Sequence, residues 1–429
     1  MKVLLISHNP ISTSNNMGKT FLSLFSSFRI DEISQFYVHP SLPDVVRCNS
    51  YYRLTDKNII KGIFRFSAYG KIIDCKEIDL NKKSSNTVDT VKSATKKNPF
   101  RYLLRDMVWG VSRWYTKKLK KWIVLQKPDV IFLAPGYAKF IYNVAIKISK
   151  EYKLPIVTYI CDDFYFVNNK GFLISRLQVG LLKRKISRLM KFTNEIISIC
   201  DEIKDSYEKK FHVHCMTLMT GSSFNVDEAQ KYYNEEIYDK TALVYLGNVR
   251  CNRYKSLRQI GYALEQINEQ NNANYRLKIY TSEKDESILG CLNEVKTIEI
   301  CGYVSSEEFL QTLCSAEVLV HTESFDESMV DLVKHSVSTK IADSLASGRK
   351  FFAYGPENVA SISYLKNNGL AYVATDEDEL KDILYQCLTE SGEQIINKAK
   401  TFAKTNHDSE RNSILLHDEL QKIIENEVE

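Results

Sequence analysis

Short, nearly unbroken apolar runs alternate with longer amphipathic stretches along this chain, and the alternation happens twice. In the first half the runs are KVLLIS (2–7), a segment at 36–38, DVIFLAP (129–135), IVTYIC (156–161), EIISIC (195–200) and CMTLM (215–219). In the second they are ALVYLG (242–247), RLKIYT (276–281), IEICGY (298–303), EVLVHT (317–322), KFFAYG (350–355) and AYVAT (371–375). A strand apolar on both faces must be covered on both, so such runs separated by helices predict parallel sheets flanked by helices. The expected class is α/β, with two Rossmann-like doubly wound domains facing across a cleft. The first spans 1–228 and the second 229–405, with a final helix over 406–429 packing back across the hinge. The hinge itself is read in the polar, acidic KYYNEEIYDKT (231–241). Residues about 55–97 fit neither pattern and read as an insertion, partly flexible around NKKSSNTVDTVKSATKK.

The loop after the first run, SHNPISTSNNMGKT, ends as a phosphate-binding loop does, in Gly18-Lys19-Thr20. The G-x-x-x-x-G-K-[ST] spacing needs a second glycine where Thr13 stands, and without it the backbone lacks the tight path around a phosphate. The general reading survives: a strand feeds a helix amino terminus through a polar loop, where open α/β sheets bind ligands. His8, Asn9, Gly18 and Lys19 are the candidates there, Gly18 for close backbone approach and the others, with residues 14–16, for hydrogen bonds or charge to an incoming group.

Charge is divided unevenly. The first 220 residues carry 37 Lys and Arg against 18 Asp and Glu, a net +19, while the rest is −14, leaving +5 overall. Two domains with different partners are implied. From Lys82 to Lys121 the cations Lys82, Lys83, Lys92, Lys96, Lys97 and Arg101 onward are interleaved with Phe100, Tyr102, Trp109, Trp114, Tyr115 and Trp122. RLQVGLLKRKISRLMKF (176–192) holds six cations and no acid. Basic amphipathic helices with Trp and Leu suit an anionic bilayer surface, and a solvated basic face is the plainer alternative. No nucleic-acid motif accompanies the charge, so no nucleic-acid partner is expected. The ten cysteines form no C-x-x-C pair, which suits reduced thiols rather than disulfides or zinc. His212, His214 and Cys215 read as alternating strand residues rather than metal ligands. No secretion signal or membrane span is read, so a cytoplasmic protein is expected, peripheral at most to the inner face of the cell membrane.

Residues 298–357 carry the most specific wording. They run strand, Gly302-Tyr303-Val304, helix, Ser315-Ala316-Glu317-Val318-Leu319-Val320, acidic loop, helix, then Asp343-Ser344-Leu345-Ala346-Ser347-Gly348. Upstream lies LVYLGNVRCNRYKSL (243–257). This order resembles the GT-B glycosyltransferases, in particular the retaining enzymes of glycosyltransferase family 4, over most of the chain. The resemblance implies transfer of a sugar from a nucleotide-diphosphate donor to a glycan or lipid-linked acceptor, with retention, as in bacterial surface polysaccharide assembly. It implies no cofactor and no metal. A nucleotide-sugar epimerase or hydrolase of the same fold, or a partner-binding protein that has lost catalysis, are the alternatives.

Within that resemblance, Ser338, Thr339 and Lys340 open a helix whose exposed N–H groups favour a diphosphate. Arg253 and Lys255 supply cations for the departing nucleotide. Asp343 falls where the family's acid binds the ribose, and Gly247, Asn248, Tyr303 and Val304 line the donor site. The family's first glutamate of E-x7-E is replaced by His335. Glu323, Asp326, Glu327 and Asp331 are at hand, and Glu323 or Asp326 is expected to take its role. Asp162 and Asp163 follow a strand. They lack metal-site spacing and read as sugar or acceptor contacts, or as helix caps. Asp163 completes the expected catalytic set of Arg253, Lys255 and Glu323, and Asp162 joins the acceptor side.

Overall fold

The computed structural model of the chain describes residues 1–13, 15–65, 70–73, 78, 99–166 and 173–427. They form two compact units, Met1–Met219 with Glu410–Glu429, and Thr220–Ser409.

The amino-terminal unit holds β1 (Val3–Ser7), β2 (Ile33–Tyr37), β3 (Ser50–Arg53), β4 (Lys71–Ile73), β5 (Val130–Leu133), β6 (Ile156–Ile160), β7 (Thr193–Ser198) and β8 (Cys215–Thr217). They make one sheet in the order β4-β3-β2-β1-β5-β6-β7-β8, parallel except for β3 against β4. Strands β3 and β4 had no counterpart in the sequence reading. SYYR is short and polar at both ends, and Tyr52 is buried by distant neighbours, Phe36 of β2 and Trp122. The expected insertion begins as the helix Asp56–Arg65 and includes β4. Residues 66–69, 74–77 and 79–98, with Lys82, Lys83, Lys92, Lys96 and Lys97, lie outside the described residues, as does Ser14.

The carboxy-terminal unit holds β9 (Asp239–Leu246), β10 (Arg276–Tyr280), β11 (Ile298–Gly302), β12 (Ala316–Thr322), β13 (Lys350–Tyr354) and β14 (Tyr372–Ala374). The order β11-β10-β9-β12-β13-β14 is, counted within the unit, the doubly wound 3-2-1-4-5-6. Strand periodicity makes the two cores: Leu243 and Tyr245 face one, Val244 and Leu246 the other. The helix Arg253–Asn271 covers the first through Leu257, Ile260, Leu264 and Ile267, and the helix Thr339–Ala346 covers the second through Ile341 and Leu345. Each such aliphatic side chain contributes about 1.5–3 kcal/mol by leaving water.

One boundary differs from the sequence reading. The segment 231–241 is no hinge, because its polar groups are tied to the carboxy-terminal sheet. The Asn234 N–H donates to Ser315 Oγ at 2.7 Å, and the Tyr238 hydroxyl to Glu317 at 2.6 Å. The unit boundary instead falls after Met219. From Glu410 onward the helix Ser409–Asn426 belongs to the amino-terminal unit, where Ser413 accepts from the Ser27 N–H at 3.0 Å and Leu416 and Leu420 are buried.

That helix also brings Glu419 to Glu195 of β7. Burial first, and the like charge of Glu419 second, push the Glu195 carboxyl from an ordinary 4.5 up to about 7, against the opposing pull of His214. A raised carboxyl pKa stabilises the fold at low pH, and that contribution is lost as pH rises from 4.5 through about 7. Glu195→Gln removes this decline, so urea denaturation will find the variant more stable than the wild type at pH 8 and not at pH 4.

Candidate functional site

In an open α/β sheet the ligand crevice lies at the carboxyl ends of the strands, where successive connections diverge to opposite sides. In the carboxy-terminal unit that point is between β9 and β12. The loop after β9 is tightly folded. The Gly247 N–H donates to the Tyr280 carbonyl at 3.0 Å, and a Cβ at Gly247 would stand 3.1 Å from the Tyr245 hydroxyl. The Asn248 side chain accepts from the Arg250 N–H at 2.6 Å, and Cys251 and Asn252 take left-handed φ values of 57° and 60°. These turns deliver Arg253 as the first residue of its helix.

Across the switch, Glu323 follows the last residue of β12 and is 2 % exposed. Arg253 donates to it through Nε and Nη2, both at 2.8 Å, a bidentate pair. Burial raises the Glu323 carboxyl and Arg253 pulls it back. Burial likewise opposes the Arg253 charge, and Glu323 more than compensates, lifting the guanidinium above its ordinary value. The same two loops are laced a second time: Asn252 Nδ2 and Lys255 Nζ both reach Asp326 Oδ2, at 2.6 and 2.9 Å. Ser256 donates to the Glu323 carbonyl at 2.8 Å. A hollow of about 400 Å³ opens beside them, lined by Lys255, Tyr262, Phe325 and Asp326 among others.

His321, two residues before Glu323 on the same face, lies with Nε2 3.6 Å from Glu323 Oε1 and without a hydrogen-bond partner at that nitrogen. Burial, then the fields of Arg253 and Lys340, lower its pKa to about 3, so the imidazole is neutral at pH 7. Lys340 is thereby placed with this group. The helix Thr339–Ala346 starts as expected: Ser338 is its N-cap, accepting from the Lys340 N–H at 3.4 Å, and Thr339 and Lys340 are partly exposed. Asp343 differs from expectation. It is buried, and its carboxylate accepts from the Ser223 N–H at 2.6 Å and the Ser223 hydroxyl at 3.3 Å. The acid assigned to a ribose thus anchors the start of its own unit, because it lies on the inner side of the helix. Tyr303, beyond Gly302 of β11, is 65 % exposed, and Val304 packs on the core. Two strand spacings, about 10 Å, separate β11 from β9. His335 and the remaining loop acids Glu327 and Asp331 lie between β12 and this helix; Glu327 opens the short helix Glu327–Val333.

In the amino-terminal unit the corresponding switch is between β1 and β5. The loop after β1 is held from within the fold. Asp44 accepts from the Ser12 hydroxyl and the Thr13 N–H, both at 2.8 Å, and Gln35 donates to the Asn9 carbonyl at 3.1 Å. Gly18 is required here for a different reason from the one expected: a Cβ would lie 2.5 Å from the Ser12 carbonyl oxygen, so the close approach is to the chain itself. Asn15 caps the helix by accepting from the Gly18 N–H at 2.7 Å, and Lys19 is exposed. His8 is largely buried, with its pKa lowered to about 4 by burial and then by Arg105. Asp163 is buried and closes its own loop. It accepts from the Tyr165 and Phe166 N–H groups at 2.8 and 3.0 Å and from the Tyr207 hydroxyl at 3.1 Å, the short-range loop closure typical of Asp. Asp162 beside it is exposed.

No family model matches the sequence, and no curated protein matches it. Solved structures do. HepE of Anabaena, described in complex with UDP and glucose, superposes with a TM-score of 0.62 at 11 % identity, covering 98 % of this chain and all of that one. Sucrose-phosphate synthase of Thermosynechococcus elongatus gives 0.64 at 11 %, covering 99 % of each chain. WaaG, described as a glycosyltransferase involved in lipopolysaccharide biosynthesis, gives 0.57 at 14 %, covering 98 % and 99 %. The fold is GT-B.

On this GT-B scaffold, the carboxy-terminal unit gathers Gly247, Asn248, Arg253, Lys255, Glu323 and Lys340 at one end of one sheet. Asp343 of the same unit is held by Ser223, while His8, Asn9, Gly18, Lys19, Asp162 and Asp163 belong to the other unit. His321 and Asn252 were missed by sequence reasoning. The alternation V-H-T-E turns His321 of β12 and Glu323 just beyond it to one side, which is the signal that was there to use.

Proposed function

We propose that the chain is a glycosyltransferase moving a sugar from a nucleotide-diphosphate donor to a glycan or lipid-linked acceptor, with retention, in the assembly of surface polysaccharide. Its working place would be the inner face of an anionic membrane. The observation that carries the reading is the Arg253–Glu323 pair, buried at the switch point of the sheet, together with Lys340 in the first turn of the helix Thr339–Ala346. Two of the guanidinium N–H groups hold Glu323, and the rest remain for a diphosphate. A cation fixed before the donor arrives stabilises charge on the departing nucleotide without reorganisation. The Lys340 ammonium adds to it. The neutral His321 offers its Nε2 to a sugar or phosphate oxygen. Among the described residues no helix is long and apolar enough to cross a membrane, and membrane contact would be peripheral.

The solved GT-B structures make UDP and UDP-glucose the first probes. Incubation with a panel of nucleotide sugars will release free nucleotide in the presence of an acceptor extract; absence of release across the panel counts against transfer. Lys340→Ala will weaken UDP binding at least tenfold, the ~1.5–3 kcal/mol of a charge-assisted contact. Isothermal titration reads it, and unchanged affinity removes Lys340 from the site.

A further inference from the structure

Between the helices Pro99–Val111 and Lys117–Gln126 of the amino-terminal unit the chain turns through residues 112–116. The turn is fixed by its own hydrogen bonds. The Ser112 hydroxyl donates to the Trp109 carbonyl at 2.9 Å, and the Thr116 N–H to the Trp114 carbonyl at 3.0 Å. Thr116 then caps the next helix by accepting from the Leu119 N–H at 3.2 Å. Together with the helices Lys139–Tyr152 and Leu173–Met190, this turn lines a groove of about 620 Å³, in the size range of ligand sites.

The charged lining is Arg113, Lys147, Lys150 and Arg188, and among the described residues no carboxylate lines the groove. Glu151 is held by Lys120 at 2.9 Å and reached by Lys147 at 3.8 Å, and Asp106 pairs with the buried Lys139 at 2.7 Å. Lys150 lies over the Phe192 ring at 4.5 Å, and neither it nor Arg188 has a carboxylate partner among the described residues. Lys185, one turn before Arg188, donates to a neutral oxygen, Asn143 Oδ1, at 3.0 Å. Burial and then the charge of Arg188 lower the Lys185 pKa, against the pull of Asp106. Cations crowded without counter-charges destabilise the free protein, and an anion in the groove relieves them.

The helix Lys139–Tyr152 follows β5 and so starts near the carboxyl end of that strand, at the switch point. Asn143, Lys147 and Lys150 come at one-turn spacing and carry the lining away from that end over about 10 Å. Cations spread in this way fit an extended ligand better than a single ion. Trp114 lines the groove beside Tyr115, with ring centroids 5.1 Å apart, while Lys120 and Lys147 already lie over Tyr115. An indole gives the C–H face of a pyranose an apolar wall. Asn143 keeps its amide N–H groups, and Ser112 its hydroxyl lone pairs, for sugar hydroxyls. A bilayer, being flat, meets the rim of such a groove and not its floor.

We infer that this groove binds an acidic oligosaccharide, a short run of sugars bearing carboxylate or phosphate groups. Lys147, Lys150 and Arg188 take the charges and Trp114 takes a ring. The inference rests on the sugar-transfer reading above, whose glycan acceptor it makes anionic, and on none of the residues assigned to the donor.

Isothermal titration of the full chain tests it with two acidic probes, hexagalacturonate and phosphorylated pentamannose, which separate the carboxylate from the phosphate source. At least one will bind ten times more tightly than neutral maltohexaose and than hexaglutamate, which carries charge without rings. Lys150→Glu with Arg188→Glu will weaken the better probe more than tenfold, and Trp114→Ala at least threefold. Lys209→Glu with Lys210→Glu, the same charge change at exposed positions on the helix Asp201–Phe211, will bind as wild type. Circular dichroism melting and UDP binding are followed in every variant, so a folding defect shows in all three measurements. The proposal is overturned if neither acidic probe outbinds maltohexaose, if hexaglutamate or a thymidine hexanucleotide binds equally well, or if the Lys209 and Lys210 variant loses as much as the groove variant. It also fails if the groove variant keeps saccharide affinity while losing anionic vesicles or a concentration-dependent dimer through the acidic half of a second copy. Nucleotide release is scored separately. Release with neutral acceptors alone, and no acidic saccharide bound, sinks the groove and leaves sugar transfer standing; bound acidic saccharide without release from any donor does the reverse.

Discussion

Arg253→Ala is expected to lower the stability of the carboxy-terminal unit by about 3–5 kcal/mol, because it leaves Glu323 charged and buried without its partner. The ion pair by itself is a modest source of stability, since both groups lost water to form it; removing one member exposes the whole desolvation cost of the other. Replacing both with apolar residues, as in Arg253→Met with Glu323→Leu, will therefore recover most of the loss in urea denaturation. That double variant will still fail to release nucleotide from a sugar donor. The contrast separates a structural pair from a functional one. Near-neutral stability of Arg253→Ala would show that the pair is not desolvated, and full activity of the double variant would remove it from the chemistry.

Trp109→Ala has the second large expected effect, about 3–5 kcal/mol on the amino-terminal unit. The indole is 1 % exposed, stacks on Phe140 with ring centroids 3.7 Å apart, and donates to Asp56 at 2.7 Å. Its loss opens a cavity and frees the helix Pro99–Val111 from its support. Trp109→Phe keeps the stacking and gives up the N–H, costing about 0.5–1.5 kcal/mol. Denaturation melts of the two variants check the ordering. Equal losses would mean that the hydrogen bond, not the packing, holds the helix.

The sequence by itself determined where most strands run and that two sheets form. A strand covered on both faces has to be apolar throughout, and that requirement is written locally, as in DVIFLAP and ALVYLG. It also located the carboxyl-end loops, through turn residues such as Gly247 and the Ser338 cap, whose preferences act over a few residues. Only the tertiary structure decided which polar side chains are presented and which are absorbed. Glu323 meets Arg253 from 70 positions away and Asp343 meets Ser223 from 120, while Asp163 folds onto its own loop. A carboxylate's type states what it can bind, not which donor the fold brings within 3 Å of it. The sheet edge at β3 and β4 was settled in the same way, since its burial depends on neighbours distant in the chain.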